Sequence, residues 1–98
     1  MKLVCILYDD MYDEADIIAV PDSLYDNIQE LGQQFQWWLG EAEHDFWITR
    51  PNGQRVLAVG TAEFVWWLNK QLGDDHNEKV KIVEENVRYR RKLKTIHW

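Results

Sequence analysis

The sequence predicts an α+β domain made of two strand-turn-strand-helix units and a fifth strand, with one sheet covered on one face by two helices. Three observations lead there. Short β-branched apolar runs alternate with longer stretches whose apolar residues recur at helical spacing. Glycine and proline punctuate the ends of these runs. The chain also writes nearly the same phrase twice, "FQWWL" at 35–39 and "FVWWL" at 64–68.

Taken in order, residues 3–8 are an apolar run with Val4 and Ile6, read as a buried strand. The next eight residues, "DDMYDEAD", carry Asp9, Asp10, Asp13, Glu14 and Asp16. Five carboxylates so close together resist burial, so this is an exposed connection. Residues 17–20 resume the strand, and Pro21, which lacks an N–H for the ladder, ends it. Asp22 or Ser23 can cap a helix over 23–39, in which Leu24, Ile28, Leu31, Phe35, Trp38 and Leu39 form one stripe. Gly40 stands where a left-handed stop is expected.

The second unit repeats the order. After an acidic link at 41–45, residues 46–49 and 55–59 are read as strands joined through Pro51 and the Asn52-Gly53 pair, which tolerates the positive φ of a tight turn. Gly60 breaks the second of these strands, Thr61 is the expected cap, and 62–72 is a helix stopped at Gly73. "IIAVPD" at 17–22 aligns with "VLAVGT" at 56–61, which suggests a degenerate internal repeat of two ββα units packed edge to edge. "KVKIV" at 79–83 supplies the fifth strand.

Ninety-eight residues provide one domain, 1–98, with a single modest core. There is no signal-peptide pattern at the N-terminus and no run of about 20 apolar residues that would span a membrane. The one cysteine, Cys5, has no partner for an internal disulfide, which fits the reducing cytoplasm. The net charge of -6 conceals a division. Residues 1–78 hold 15 of the 17 acids and four of the 11 bases, a balance of -11, whereas 79–98 carry +5. The basic segment 85–98 is therefore expected to dock on the acidic body, with Tyr89, Leu93, Ile96 and Trp98 as apolar anchors.

Adjacent helical residues point about 100° apart, so both members of a Trp-Trp pair cannot enter one core. Trp38 lies beside the stripe of the first helix and Trp67 beside that of the second, Phe64, Val65, Leu68 and Leu72. Trp37 and Trp66 point outward at equivalent places. Either the C-terminal segment lies across the helices and covers one or both of them, or they form a contact surface, since tryptophan is favoured at binding hot spots. Trp47, inside a strand, is read as a core or sheet-face residue.

No constellation for catalysis is present. The acidic loop lacks the glycine and distal glutamate of a calcium-binding helix-loop-helix site. Asp74, Asp75 and His76 are three neighbours with poor geometry for a metal that wants about four ligands. Cys5 lacks a nearby base or cation to activate it, Ser23 reads as a cap, and no glycine-rich phosphate loop occurs. The expectation is thus a small acidic non-enzymatic protein-interaction module without cofactor or metal, whose partner is another protein or a second copy of itself. Its candidate contact residues are Trp37, Trp66, Asp9, Asp10, Asp13 and Glu14. The carboxylates could imitate nucleic-acid phosphates and fill a basic groove in a target, as an inhibitor would. The alternative is nucleic-acid binding through Arg88, Tyr89, Arg90, Arg91, Lys92 and Lys94, where basic groups meet phosphates and Tyr89 stacks on a base.

Overall fold

A computed structural model describes residues 1–7, 14–42, 44, 46–57, 59–73 and 77–97. The elements are β1 (Lys2–Leu7), β2 (Glu14–Val20), α1 (Asp22–Tyr25), α2 (Ile28–Glu41), β3 (Trp47–Thr49), β4 (Arg55–Leu57), α3 (Thr61–Leu72), β5 (Lys81–Arg88) and β6 (Lys94–His97). The α+β class stands. The single sheet does not, because the strands form a four-stranded sheet in the order β5-β2-β1-β6 and a separate two-stranded sheet, β3-β4.

The first hairpin is the centre of the larger sheet. β1 and β2 pair antiparallel from Lys2–Val20 to Leu7–Ala15, and their side chains alternate between two faces. Val4, Ile6, Ile18 and Val20 point toward the helices and join Ile28, Leu31, Phe35, Leu39, Phe64, Trp67 and Leu68 in one core. Each large side chain fully buried there stabilises the fold by roughly 1.5–3 kcal/mol.

The helical stripe is real, but the helix is shorter than its pattern suggests. The chain turns at Asp26-Asn27 and separates α1 from α2, with Asn27 at φ -114° and ψ 25°. Asp and Asn side chains compete for backbone hydrogen bonds, which makes them weak helix formers and good turn residues. Gly40 does not stop α2, which runs on to Glu41 and ends at extended Ala42 (ψ 153°). In α3 the expected stop holds, with Gly73 at φ +82°. The helix starts at Thr61, which is therefore not its cap: Gly60 occupies the cap position, and the Glu63 carboxylate accepts from the Gly60 N–H at 2.8 Å.

Thr61 has another task. Its hydroxyl donates to one carboxylate oxygen of Asp16, and the other oxygen accepts from the Asn86 N–H at 3.0 Å. Asn86 has a left-handed backbone (φ 53°), and the β2–β5 register shifts around Ile17. Asp16 therefore ties β2, the irregular stretch of β5 and the start of α3 together. Neither it nor Glu14 belongs to an exposed loop; both lie in β2. Asp9, Asp10 and Asp13 fall outside the described residues, as do Trp98 and the Asp74-Asp75-His76 triplet.

The described part of the basic C-terminal segment, 85–97, does not cover Trp37 and Trp66; its strands are built into the sheet. β5 pairs antiparallel with β2, and β6 pairs parallel with β1 on the opposite edge. The connection 89–93 lies on the sheet face away from the helices. Cys5 and Thr95 are register partners on that face; the Cys5 Sγ contacts the Arg90 carbonyl at 3.8 Å, and the Thr95 hydroxyl reaches the Tyr89 hydroxyl at 3.3 Å. Cys5 and its register partner Ile17 are both buried.

Candidate interaction surface

The second hairpin forms a sheet of its own, not hydrogen-bonded to the larger one. Its turn joins Arg50 to Gln54: the Gly53 N–H bonds to the Arg50 carbonyl at 2.9 Å, and Arg50 N–H to the Gln54 carbonyl at 2.8 Å. Gly53 takes φ +87° whereas Asn52 does not have a positive φ. The turn is thus type I with proline at its second position and a left-handed glycine after it, rather than the tight Asn-Gly turn read from the sequence. Three residue pairs follow, Trp47–Leu57, Ile48–Val56 and Thr49–Arg55. A lone two-stranded ribbon is marginal in water, so something must hold it.

His44 does. Its Nδ1 accepts from the Phe46 N–H at 3.2 Å, which leaves the ring proton on Nε2, where it donates to the Leu39 carbonyl at 3.0 Å. The imidazole therefore links the last turn of α2 to the entry of β3. It also stacks between two tryptophans, 4.8 Å from Trp38 and 6.0 Å from Trp47, with interplanar angles of 26° and 7°.

From His44 a row of rings extends both ways. Beyond Trp47 stands the Arg55 guanidinium, 4.7 Å from the indole centroid. Beyond Trp38 comes Trp66 at 6.2 Å, and beyond that the Lys70 ammonium, 5.4 Å from the Trp66 centroid. Phe46 closes the middle edge-on, 5.6 Å from Trp66 and 6.2 Å from Trp38. Phe35, 6.0 Å from Trp38 and 5.4 Å from the buried Trp67, connects the row to the core. Each such ring pair contributes about 0.5–1.5 kcal/mol beyond its buried area. The row is hence rigid, apolar in the middle and cationic at both ends.

The sequence-predicted residues divide over this surface. Trp37 is 70% exposed and Trp66 46%, against 6% for Trp67. Trp66 is a member of the row, and Trp37 stands on the same helix as Trp38, outside the row. Ile48 and Leu57 of the hairpin add exposed apolar area at 49% and 41%. Trp47 is half-buried in the row, not in the main core. His44, Arg55 and Lys70 were not legible as site residues; the density of His44, Phe46 and Trp47 within four positions was the signal available.

The basic candidates lie elsewhere and several are engaged. The Arg90 guanidinium pairs with Glu84 at 2.9 Å. Lys94 donates to the Tyr25 carbonyl at 3.1 Å and sits 4.4 Å from that ring's centroid, with Lys2 4.7 Å from it. Tyr89 is half-buried with its hydroxyl on Thr95. Arg88, Arg91 and Lys92 are exposed. Among the described residues no three His, Cys, Asp or Glu side chains gather where they could hold a metal ion, and no helix is long and apolar enough to cross a membrane.

No family model, no curated protein and no solved structure matches this chain.

Proposed function

We propose that this chain is a small non-enzymatic protein-interaction module whose contact surface is the aromatic face shared by α2, α3 and the β3–β4 hairpin. The observation that carries this reading is the exposed Trp66 within a row of rings held by the fold, with the exposed Trp37 one residue before Trp38 of the same row. Burying two tryptophans removes about 300–500 Å² of mostly apolar area, enough for the centre of an interface and too little for all of it. Ile48 and Leu57 extend the apolar area, and Arg55 and Lys70 supply a charged rim. The rigid rings favour binding because little side-chain entropy is left to lose.

The reading suits a cytoplasmic protein whose partner is another protein or a second copy. Glu14 and its acidic neighbours add long-range steering toward a basic target, as an inhibitor would use. Nucleic-acid binding is less well supported, since Arg90, Lys94 and Tyr89 already have partners within the fold.

The test is site-directed photocross-linking in the native host, with p-benzoylphenylalanine at position 37, at 66, or at the exposed Val83 of β5 as a control. A discrete protein adduct from positions 37 and 66 but not from 83 is the expected result. Equal adducts from all three positions, or none from 37 and 66, would overturn the proposal.

A further inference from the structure

The two edges of the larger sheet are guarded differently. The β5 edge is irregular and charged: the register shifts beside it, Asn86 is left-handed, and Lys81, Glu84, Glu85 and Arg88 lie along it. These are the devices by which proteins prevent further strand pairing. Among the described residues the β6 edge has none of them beyond Lys94, whose ammonium is held on Tyr25.

Beside β6 runs a groove of about 310 Å³ whose other wall is α2. Gly32 lets the helix come down on Ile96; a Cβ there would stand 3.2 Å from the Ile96 Cγ2. On either side of that contact the Gln29 amide donates to the Thr95 carbonyl at 3.4 Å and the Gln36 amide to the His97 carbonyl at 3.5 Å. Carbonyls that accept from a helix side chain are the ones turned away from β1. In a strand the N–H and C=O of one residue share a side, so the Thr95 and His97 N–H groups face the groove as well. Both amide contacts are long, and exchanging them for ladder hydrogen bonds would shorten them.

We propose that this groove is a strand-addition site, in which an extended, uncharged segment of a partner protein pairs with the outer edge of β6 under the glutamine side of α2. Two observations choose the occupant. Among the described residues no Asp, Glu, Lys or Arg lines the groove, in a chain that is 29% charged, so a segment bearing charges would desolvate them there without a counterpart from these residues. Gln29 and Gln36 reach past the strand edge, so α2 overhangs it. A second copy pairing through β6 would bring its own α2 over the same joint, whereas a bare strand does not. Backbone hydrogen bonds then supply affinity, and Gln33 in the groove wall meets alternate side chains of the guest. The site is separate from the ring row of Trp66, Trp38, His44 and Trp47, none of which lines the groove.

The test is selection of phage-displayed random dodecapeptides on the folded full chain, followed by titration of the enriched synthetic peptides. The variants are Gln33→Lys and Gln36→Lys, both at exposed helix positions whose folding is checked by amide spectra, and Trp66→Gln in α3. The expected result is enrichment of uncharged, β-prone peptides that shift the Thr95 and His97 amide signals. Their binding should fall at least tenfold in each glutamine variant and stay unchanged in the tryptophan variant. Failure to enrich any peptide, binding insensitive to both glutamine variants, or a dimer of the free chain that either glutamine variant abolishes would overturn the proposal.

Discussion

The two hairpins, the first followed by two helices and the second by one, have opposite employment and do not form the repeated pair of ββα units expected from the sequence. β1–β2 pairs over six residues at the centre of a sheet, and its inward side chains are fully buried under α2 and α3. β3–β4 pairs over three, stands in a sheet of its own, and leaves Ile48 and Leu57 about half exposed. The first hairpin makes the fold. The second is carried by it, through His44, Phe46 and the tryptophan row, and is free to present a surface. Similar local phrases thus do not imply equivalent units: what separates the two hairpins is the set of partners that each finds along the chain.

The largest effect should come from cutting the same atoms out of each hairpin. Ile18→Ala opens a cavity in the core and is expected to lower stability by about 2–5 kcal/mol in urea unfolding. Ile48→Ala on the second hairpin should stay within about 0.5 kcal/mol of the parent. Similar losses from both would mean that the second hairpin also belongs to the folding core.

Next in size is the Asp16 junction, which belongs to the first hairpin but holds α3 and β5 as well. Asp16→Ala removes the carboxylate to which the Thr61 hydroxyl and the Asn86 N–H donate and should cost about 1–3 kcal/mol. Thermal melting of Asp16→Ala beside Glu14→Ala checks this, because Glu14 is exposed and its removal should change little.

A smaller and more local effect is expected at His44. His44→Ala removes two hydrogen bonds and the stacking between Trp38 and Trp47, so the second hairpin should loosen while the larger sheet does not. Hydrogen exchange should then quicken at Ile48 and Val56 at least tenfold and remain unchanged at Val4 and Ile18. Faster exchange at all four positions would show that the hairpin and the sheet unfold as one.

The sequence made the local elements legible and left their assembly obscure. Alternation and β-branching marked β1, β2 and the start of β5; helical spacing marked α2 and α3; and Gly73 needed only its own left-handed backbone to be read. The stripe from Leu24 to Leu39 concealed the break at Asp26-Asn27, because an apolar pattern can continue in phase across a turn. β6 was missed as a strand: four residues, Lys94–His97, carry too little alternation, and its pairing with β1 joins residues some ninety positions apart. Trp37 and Trp66 were legible as outward because that follows from helix geometry. The row joining Trp66 to Trp47 was not, since it depends on His44 reaching back to Leu39. The groove at β6 was invisible for the same reason as β6 itself.

The contrast between a hairpin that makes the fold and a face that meets partners is tested most directly by Trp37→Gln/Trp66→Gln, with urea unfolding and partner association measured on the same preparation. Trp37 has little packing to lose, and Trp66 loses its contacts with Trp38, Phe46 and Lys70, so stability should fall by no more than about 1–2 kcal/mol. Association with the protein captured through position 37 should weaken by at least a hundredfold, as expected when hot-spot tryptophans are removed. A variant that unfolds outright, or one that keeps its full affinity, would contradict the account.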